Sequence, residues 1–411
     1  MKINVCMLLG LRYDPKMRIA PQIGIASYIT NFGHDVTWIL SSEEIKEFRE
    51  TTFNDVRVFV VPCRYKKGLL KVVSKILYAF RRMRFVFKNF KKEEYNMIFV
   101  RDGIFDGLLA LHIKRRYKIP FVFEIVNPLE QSWEIRKIYY SKHKCFWYFV
   151  SKIEAYLTMH ILHKADLVLP TTKRFKEYLA KKGIERSKMM PYPNGIDMRR
   201  FSSAGGEEIR KRYRLEDSNV IIYVGTMEKE RYLDVLIHAF SKVREKKENV
   251  KLLMVGDGRD KTNLEKLAND LRIRGDVIFT GQVYFDGVPN FIAAADIGVS
   301  PVPPLDFYKL SSPIKMFEYM AMGKPVVANE EIPEQEEVIR ESGGGILVKF
   351  EDESFAEGII KLLDNPDEAK ERGKRGHEWV VKNRSYENMA RQVEKKYYEL
   401  LEGYKNPKEK D

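Results

Sequence analysis

The sequence predicts an α/β protein made of two doubly wound, Rossmann-like domains. Its length of 411 residues suits two domains of about 200 residues each better than a single compact one. Short runs rich in β-branched residues alternate with helix-length segments along most of the chain, which is typical of parallel sheets covered on both faces. A segment rich in turn-forming residues interrupts this alternation near 192–206, after which it begins again.

The apolar runs give the expected strands of each half. In the first half they are 3–9, 35–40, 56–61, 96–100, 121–126 and 166–170, and in the second half 220–225, 251–256, 276–281, 296–301, 324–329 and 345–348. We therefore place an N-terminal domain at 1–200, a C-terminal domain at 201–385, and at 386–411 a last helix that crosses back to the first domain and ends in a frayed tail. Such sheets bind ligands beyond the carboxyl ends of their strands, so we expect the site in a cleft between the two domains.

Positive charge is concentrated in the first half. Residues 1–200 contain 38 Lys and Arg against 19 Asp and Glu, in a chain whose net charge is +14. The stretch 64–92 has eleven basic residues, no acidic one and an apolar stripe, which predicts a basic amphipathic helix on an anionic membrane surface. A second segment, 136–152, mixes cations with aromatic residues. The alternative is a pair of helices packed on the sheet with solvated outer faces. No recognition motif for nucleic acid is present, so no nucleic-acid partner is predicted.

No metal site or disulfide framework is predicted. Cys6, Cys63 and Cys145 are far apart, as expected for a protein of the reducing cytoplasm. His160 and His163 are three residues apart on an expected helix, and zinc binding there is the alternative to an ordinary structural role.

The stretch "SSPIKMFEYMAMGKPVVA" at 311–328 predicts a phosphate-binding helix. Ser312 is suited to the N-cap and Pro313 to the first helical position. The N–H groups at the start of this helix attract a phosphate, Lys315 adds positive charge, and Glu318 on the same face can accept hydrogen bonds from ribose hydroxyls. The alternative is an ion pair between these two residues on a solvated helix face.

The first strand-to-helix corner of the second half has a similar composition. Gly225 and Thr226 occupy the corner, where the backbone can approach a phosphate closely. Arg231 follows at the expected helix start and can clamp a diphosphate with two hydrogen bonds. The alternative for Arg231 is a surface pair with Glu228 or Glu230. Gly256, in "VGDG", ends another strand and is either a backbone contact to the phosphate or part of a tight turn.

Taken in order, several segments resemble glycosyltransferase family 4. They are "PQIGIASYITNFGHDVTWI", "ADLVLPTTKRFKEYL", "PNGID", "YVGTMEKERYLDVLIHAF", "LLMVGDG", "AADIGVSP" and "FEYMAMGKPVVA". The resemblance extends over nearly the whole chain. It implies the GT-B fold, with two Rossmann-like domains facing a cleft, and retaining transfer of a sugar from a nucleotide sugar.

The resemblance also implies roles for single residues. Glu318 matches the second glutamate of the family's paired-glutamate signature, which binds ribose, whereas Leu310 occupies the position of the first. Arg231 matches the lysine of a diphosphate-binding pair, and Thr226 replaces its arginine, so Lys315 is expected to compensate. Gly24 matches a loop glycine whose backbone approaches the donor phosphate.

The complete set of expected site residues has three parts. Donor binding is assigned to Gly24, Gly225, Thr226, Arg231, Gly256, Ser311, Ser312, Lys315 and Glu318. Catalysis is assigned to Arg231, Lys315, Glu318 and Glu124. Acceptor binding is assigned to Arg101, Asp102 and Asn127, which lie at strand ends where the family's usual histidine is absent.

The sequence thus predicts a metal-independent glycosyltransferase with no cofactor besides its nucleotide-sugar substrate. The expected donor is a UDP- or GDP-sugar, and the expected acceptor is a lipid-linked molecule or a polysaccharide. The protein is expected to be cytoplasmic and peripherally bound to the inner membrane surface through 64–92. The alternatives are a nucleotide-sugar epimerase or hydrolase of the same architecture, and an inactive scaffold that binds partner enzymes.

Overall fold

The chain folds into two compact units. The computed structural model describes residues 1–13, 21–63, 70–90, 94–139 and 144–405, without the side chains of 11–12, 21–23, 70–77 and 138–139. One unit is Met1–Pro193 with Met389–Asp411, and the other is Asn194–Asn388. The division therefore falls ahead of the boundary that the sequence suggested at 200, and the expected frayed tail lies outside the described residues from 406 onward.

The N-terminal unit contains a seven-stranded sheet. Its strands are β1 (Asn4–Arg12), β2 (Asp35–Ser42), β3 (Arg49–Phe53), β4 (Val56–Pro62), β5 (Met97–Arg101), β6 (Phe121–Ile125) and β7 (Leu167–Pro170). They lie in the order β3-β4-β2-β1-β5-β6-β7, and every pairing except that of β3 with β4 is parallel. The apolar runs of the sequence correctly predicted six of these strands, because each is largely buried and therefore rich in apolar residues.

Strand β3 is the one that the sequence analysis missed. It runs antiparallel to β4 through a two-residue turn in which Asn54 and Asp55 have φ angles of 48° and 63°. Such left-handed turns favour Asn and Asp, so the Asn-Asp pair between "RETTF" and "VRVFVV" was a usable hairpin signal.

Six helices accompany this sheet in the described residues: α1 (Pro21–Asn31), α2 (Leu70–Asn89), α3 (Ile104–Tyr117), α4 (Gln131–Tyr139), α5 (Lys144–Lys164) and α6 (Lys173–Lys181). Residues 64–69 and 91–92 of the basic stretch lie outside the described residues. Arg82 of α2, counted in the sequence analysis among the membrane-facing cations, is buried instead. Its Nη2 lies 3.1 Å from Asp106 Oδ2 and donates to the carbonyls of Leu9 and Ile39, so Arg82 is a core residue.

The C-terminal unit is built on a six-stranded parallel sheet. Its strands are β8 (Asn219–Val224), β9 (Val250–Val255), β10 (Val277–Phe279), β11 (Ile297–Ser300), β12 (Val326–Asn329) and β13 (Gly345–Val348), in the order β10-β9-β8-β11-β12-β13. All six strands were predicted from the sequence. Two groups of buried apolar residues, one built around Phe240 and Phe355 and the other around Phe317 and Tyr319, pack against this sheet.

Its helices are α7 (Met198–Phe201), α8 (Glu207–Tyr213), α9 (Asp234–Lys246), α10 (Lys261–Asp270), α11 (Val288–Ala293), α12 (Ile314–Ala321), α13 (Pro333–Ser342), α14 (Asp352–Asp364) and α15 (Pro366–Arg384). The last helix, α16 (Tyr386–Lys405), begins in this unit and continues in the N-terminal one. There His34 Nε2 lies 2.7 Å from Glu394 Oε1. In the part of the chain that the structure describes, no helix is both long enough and apolar enough to pass through a lipid bilayer.

Candidate functional site

The order of strands in the C-terminal unit locates a crevice for a ligand. Starting from β8, the chain adds β9 and β10 on one side of the sheet and β11, β12 and β13 on the other. In open α/β sheets, ligands bind at the carboxyl ends of the two strands where this direction reverses, here β8 and β11. Gly225 directly follows β8, and the loop 301–313 that leads into α12 follows β11. The sheet therefore brings together the two segments that the sequence analysis selected for donor binding.

Lys315 and Glu318 form an ion pair on α12. Lys315 Nζ lies 2.6 Å from Glu318 Oε2, and Glu318 is only 1% exposed. The pair is therefore not on a solvated helix face, as the alternative to donor binding assumed. Glu318 Oε1 is buried and has no hydrogen-bond partner among the described residues. A buried carboxylate oxygen without a donor is costly, so this oxygen is available for a hydroxyl group of a ligand.

The start of α12 differs by one position from the prediction. The helix begins at Ile314 with Pro313 at the N-cap, so Ser312 is not the capping residue. Because Pro313 has no side-chain oxygen, it cannot cap the first N–H groups, and no side-chain cap is made. Those N–H groups keep the capacity to bind an anion.

Close packing fixes α12 against the sheet. The hydroxyl of Tyr319, which is completely buried, accepts a hydrogen bond of 2.8 Å from the Val224 N–H in β8. A side chain at Gly298 in β11 would collide with the ring of Tyr319. The helix therefore approaches β11 closely, and its orientation relative to the end of β8 is rigid.

Arg231 contacts the loop 301–313 through the aromatic ring of Tyr308. It lies in a 3-10 turn, Lys229–Arg231, and α9 begins only at Asp234, so the expected helix start at Arg231 was wrong. Its guanidinium carbon is 4.9 Å from the centre of the Tyr308 ring, in cation–π geometry. Glu228, one of the two suggested partners of Arg231, pairs with Arg259 at 2.7 Å.

Tyr308 connects Arg231 to the serines before α12. The Ser311 hydroxyl donates a hydrogen bond of 2.7 Å to the carbonyl of Tyr308. Arg231, Ser311 and Lys315 are thus attached to one continuous segment. The sequence offered no signal for Tyr308, because a single aromatic residue in a loop is not distinctive.

The glycines of the corner serve backbone packing. A side chain at Gly256, whose φ is +139°, would collide with the carbonyl oxygen of Gly225. This contact explains Gly256 as part of a tight turn, and its contact with a donor stays a prediction. The hydroxyl of Tyr223 donates to the carbonyl of Thr226 at 3.1 Å and so orders the corner. Burial raises the pKa of Tyr223 to about 12, with a smaller opposing effect of Arg231, so the hydroxyl stays protonated.

The expected acceptor residues meet at the ends of β5 and β6 in the N-terminal unit. Arg101 Nε lies 3.5 Å from Oε1 of Glu124, which is completely buried. Asp102 accepts hydrogen bonds from the N–H of Val126 at 3.1 Å and from Nδ2 of Asn127 at 2.5 Å. Burial raises the pKa of Asp102 to about 6, although these hydrogen bonds and Arg101 lower it. Glu124 is thus a buried partner of Arg101, and its expected catalytic role stays a prediction.

Gly24 and Tyr397 in this unit have positions that the sequence did not predict. Gly24, expected in a loop, is buried within α1 near the N-terminus of that helix. Tyr397 of α16 is also buried, and burial together with the Glu124 carboxylate raises its pKa. A residue from the end of the chain therefore packs near the expected acceptor residues, which no local pattern in the sequence indicated.

No metal centre is evident within the described ranges, where no three His, Cys, Asp or Glu residues are grouped as metal ligands. His160 and His163 belong to α5, with both side chains exposed. Independence from metal ions stays a prediction.

Two family models match the chain, one for each half. The model "Glycosyltransferase Family 4" matches residues 23–200, and the model "Glycosyl transferases group 1" matches residues 206–379. Together they cover most of the chain, in the order expected from the sequence.

Individual proteins show the same likeness. A GDP-mannose-dependent alpha-(1-6)-phosphatidylinositol monomannoside mannosyltransferase of Mycobacterium tuberculosis is 29% identical over 204 residues, which is 48% of this chain and 52% of that protein. An alpha-monoglucosyldiacylglycerol synthase of Streptococcus pneumoniae is 22% identical over 79% of this chain and 77% of its own length. The chain thus spans about half the length of the first of these relatives and more of the second.

Among solved structures, sucrose-phosphate synthase from Thermosynechococcus elongatus superposes with a TM-score of 0.75 at 18% identity, over 97% of this chain and 100% of that one. This likeness supports the GT-B fold. With two ordered family matches, two parallel-sheet units and curated transferases among its relatives, the chain belongs to glycosyltransferase family 4, a family of transferase enzymes with the GT-B fold.

Proposed function

We propose that this protein is a retaining glycosyltransferase. It transfers a sugar from a UDP- or GDP-sugar to a lipid-linked or polysaccharide acceptor at the cytoplasmic face of the membrane. One observation carries the proposal: Glu318 is buried at the carboxyl edge of the sheet, with Lys315 on one oxygen and no partner among the described residues on the other. That oxygen suits a ribose hydroxyl, and the adjacent cation suits a diphosphate.

In this proposal the protein lowers the barrier by stabilising the departing nucleoside diphosphate. Lys315, Arg231 and the N–H groups at the start of α12 supply fixed positive charge where negative charge develops. Retention requires the acceptor hydroxyl to approach the face of the sugar from which the diphosphate leaves. Since cationic side chains and N–H groups balance the diphosphate, the proposed reaction needs no metal ion.

The relatives support the donor and acceptor classes by their names. The mycobacterial relative is described as GDP-mannose-dependent and acts on a phosphatidylinositol monomannoside. The streptococcal relative is a synthase of a glucosyl diacylglycerol. Both names join a sugar to a lipid, which agrees with the excess of basic residues in the half of this chain expected to bind the acceptor.

A thermal-shift panel of nucleotide sugars tests the donor. UDP-glucose and GDP-mannose, each at saturating concentration with EDTA, are compared with free glucose and mannose. A ligand at 100 times its dissociation constant stabilises the folded protein by about 2.7 kcal/mol, so at least one nucleotide sugar should raise the melting temperature by a few degrees. If no nucleotide sugar does so, the proposed donor site is wrong. Turnover of the bound donor without any acceptor would instead favour the epimerase or hydrolase alternative.

The N-terminal unit has an exposed apolar surface suited to a lipid acceptor. Phe146, Phe149, Ile153 and Tyr156 follow helical spacing along one face of α5 and are 61%, 65%, 44% and 72% exposed. Glu154, the single acidic residue of α5, lies on another face and pairs with Arg136 at 2.9 Å. An apolar helix face with no acidic residue fits an anionic lipid surface better than a solvated exterior.

Vesicle sedimentation tests this part of the proposal. We expect the protein to sediment with phosphatidylglycerol vesicles at low salt and less at high salt, because the attraction is partly electrostatic. Phe149→Glu should weaken the partition coefficient about tenfold, since it removes apolar contact and adds a repelled charge. Phe80→Glu, at a 62% exposed position on α2, is the matched change on the stretch that the sequence favoured. Absence of sedimentation at low salt would refute membrane binding, and a larger effect of Phe80→Glu would move the contact to α2.

A further inference from the structure

The turn that precedes α12 is held in place by Asn194, a residue to which neither the sequence nor the proposed function gave a role. The backbone N–H of Asn194 donates to Ser312 Oγ at 3.1 Å, and its side-chain Nδ2 donates to the Ser312 carbonyl at 2.5 Å. Ser312 itself is buried. The two hydrogen bonds fix both the side chain and the peptide group of Ser312, so the turn cannot rotate without breaking them.

Glu334 and Arg384 hold the same serine from the other side. Glu334, in the first turn of α13, is 7% exposed, and its Oε1 accepts a hydrogen bond of 3.0 Å from Arg384 Nη2. The Ser312 side chain also interacts with this carboxylate and lowers its pKa. The Ser312 hydroxyl, which accepts from the Asn194 N–H, therefore also interacts with the carboxylate that Arg384 holds.

Arg384 is in turn fixed by aromatic rings. Its guanidinium carbon lies 5.3 Å from the ring centre of Phe317 and 5.2 Å from that of Trp379. Its carbonyl accepts a hydrogen bond of 2.8 Å from the N–H of Ile196, close to Asn194 in the chain. Phe317 precedes Glu318, so Arg384 is anchored to the helix that carries the candidate donor residues.

We propose that Glu334 is a positioning residue for donor binding, which holds the Ser311-Ser312-Pro313 turn, together with Asn194 and Arg384, in the conformation that receives the diphosphate. This inference rests on the proposed function. It goes further by assigning the shape of the phosphate-binding turn to three residues that need not touch the donor. Groups that bind a departing diphosphate stabilise it best when their geometry is fixed, so residues that hold the turn in place aid the reaction.

The surroundings of Glu334 make its interaction with the Ser311-Ser312-Pro313 turn sensitive to pH. Burial raises the pKa of Glu334 to about 7, Arg384 and Ser312 oppose the rise, and Glu337 on the same helix adds to it. Other elements also contact α13, the helix that carries Glu334. Among them, the turn Tyr308–Leu310 contains the titratable residues Tyr308 and Lys309, whereas β12 and β13 contain no titratable side chain. As the pH falls through 7, Glu334 gains a proton and binds Arg384 and Ser312 less strongly, so donor binding should weaken.

Ionisation of Glu334 lowers the free energy of unfolding of the protein. Its pKa of about 7 in the folded protein lies above the ordinary value of 4.5. The unfolded chain therefore releases the proton first, and stability falls as the pH rises from 4.5 to 7 and stays lower above that. A buried acid that lowers stability in its working form is characteristic of residues kept for function.

Calorimetric titration of UDP-glucose and GDP-mannose at pH 6 and pH 8 tests the inference. The diphosphate of a nucleotide sugar does not titrate in this range, so a change in affinity reports on the protein. We expect the wild-type dissociation constant to be about fivefold higher at pH 6, because a charge-assisted hydrogen bond exceeds a neutral one by roughly 1 kcal/mol. Glu334→Gln can still accept from Ser312 but cannot ionise, so its affinity should be the same at both pH values. Glu336→Gln, at a half-buried neighbour that pairs with Arg340 at 3.0 Å, is the control and should behave like the wild type.

Asn194→Ala provides an independent variant that does not alter any titrating group. It should raise the dissociation constant about tenfold at both pH values and keep the wild-type ratio between them. If the wild type binds neither nucleotide sugar, the proposed function itself fails. If the wild type binds but Glu334→Gln keeps its pH dependence, or Asn194→Ala leaves the affinity unchanged, only the positioning role is overturned.

Discussion

Replacing Glu318 by glutamine is expected to lower kcat/KM for sugar transfer about a hundredfold. A hydrogen bond to a charged group contributes up to about 3 kcal/mol, and every 1.4 kcal/mol corresponds to a factor of ten. Oε1 of Glu318 has no other partner among the described residues, so the loss should be expressed in donor binding and transfer. The measurement is initial-rate kinetics with the donor identified by the thermal-shift panel.

The control for Glu318→Gln is Glu265→Gln. Glu265 belongs to another lysine–glutamate pair on a helix of the same unit, 3.9 Å from Lys261 at i,i+4 spacing, and outside the candidate site. This variant should retain wild-type kinetics. Both variants should unfold near the wild-type temperature, because each keeps the volume of the side chain. Equal activity of Glu318→Gln and the wild type would remove Glu318 from the site.

Replacing Arg82 by alanine is expected to lower the free energy of unfolding of the N-terminal unit by about 3–5 kcal/mol. Removal of one partner from a buried ion pair has this effect because the remaining charge is left in the core. Arg82 is 3.1 Å from the buried Asp106, whose pKa burial already raises. Urea unfolding followed by tryptophan fluorescence measures the change, since Trp38 is fully buried in β2.

The pH dependence of this loss distinguishes a buried charge from simple lost packing. Without Arg82, Asp106 is expected to stay protonated to a higher pH in the folded state than in the unfolded one. Stability is then lost progressively as the pH rises above the pKa that Asp106 has in the unfolded chain. Arg82→Ala should therefore lower the free energy of unfolding more at pH 8 than at pH 5. Arg84→Ala, an exposed position on the same helix, should change the stability by less than about 0.5 kcal/mol at either pH. Equal losses for the two variants would show that Arg82 is not a core residue.

Local sequence patterns predicted most of the fold because buried parallel strands have a distinctive composition. All six strands of the C-terminal unit are dominated by apolar residues, and the loops between them contain the expected glycines and prolines. The missed strand β3, "RETTF", is half exposed and mostly polar, so it lacked that signal. Composition also misplaced the start of α9, which was predicted at Arg231. A 3-10 turn and the first turn of a helix have similar composition, so the sequence could not distinguish them.

The candidate site could be predicted only in part. Lys315 and Glu318 were found because both lie on one short helix, where spacing along the chain fixes their proximity. The contact of Arg231 with Tyr308, and those of Asn194 and Glu334 with Ser312, join segments far apart in the chain. Nothing in one sequence specifies such contacts, because they follow from the order of strands in the sheet.

By itself, the sequence determined the α/β class, the strands that carry the site, the family resemblance and the residues Lys315 and Glu318. Tertiary structure decided which charged residues are available to a ligand. Arg82 and Glu124 look like exposed or site-facing charges in the sequence, yet both are buried and paired in the folded unit. The physical reason is that the electrostatic effect of a charge depends on its solvation and its partners, and both are set by residues distant in the chain.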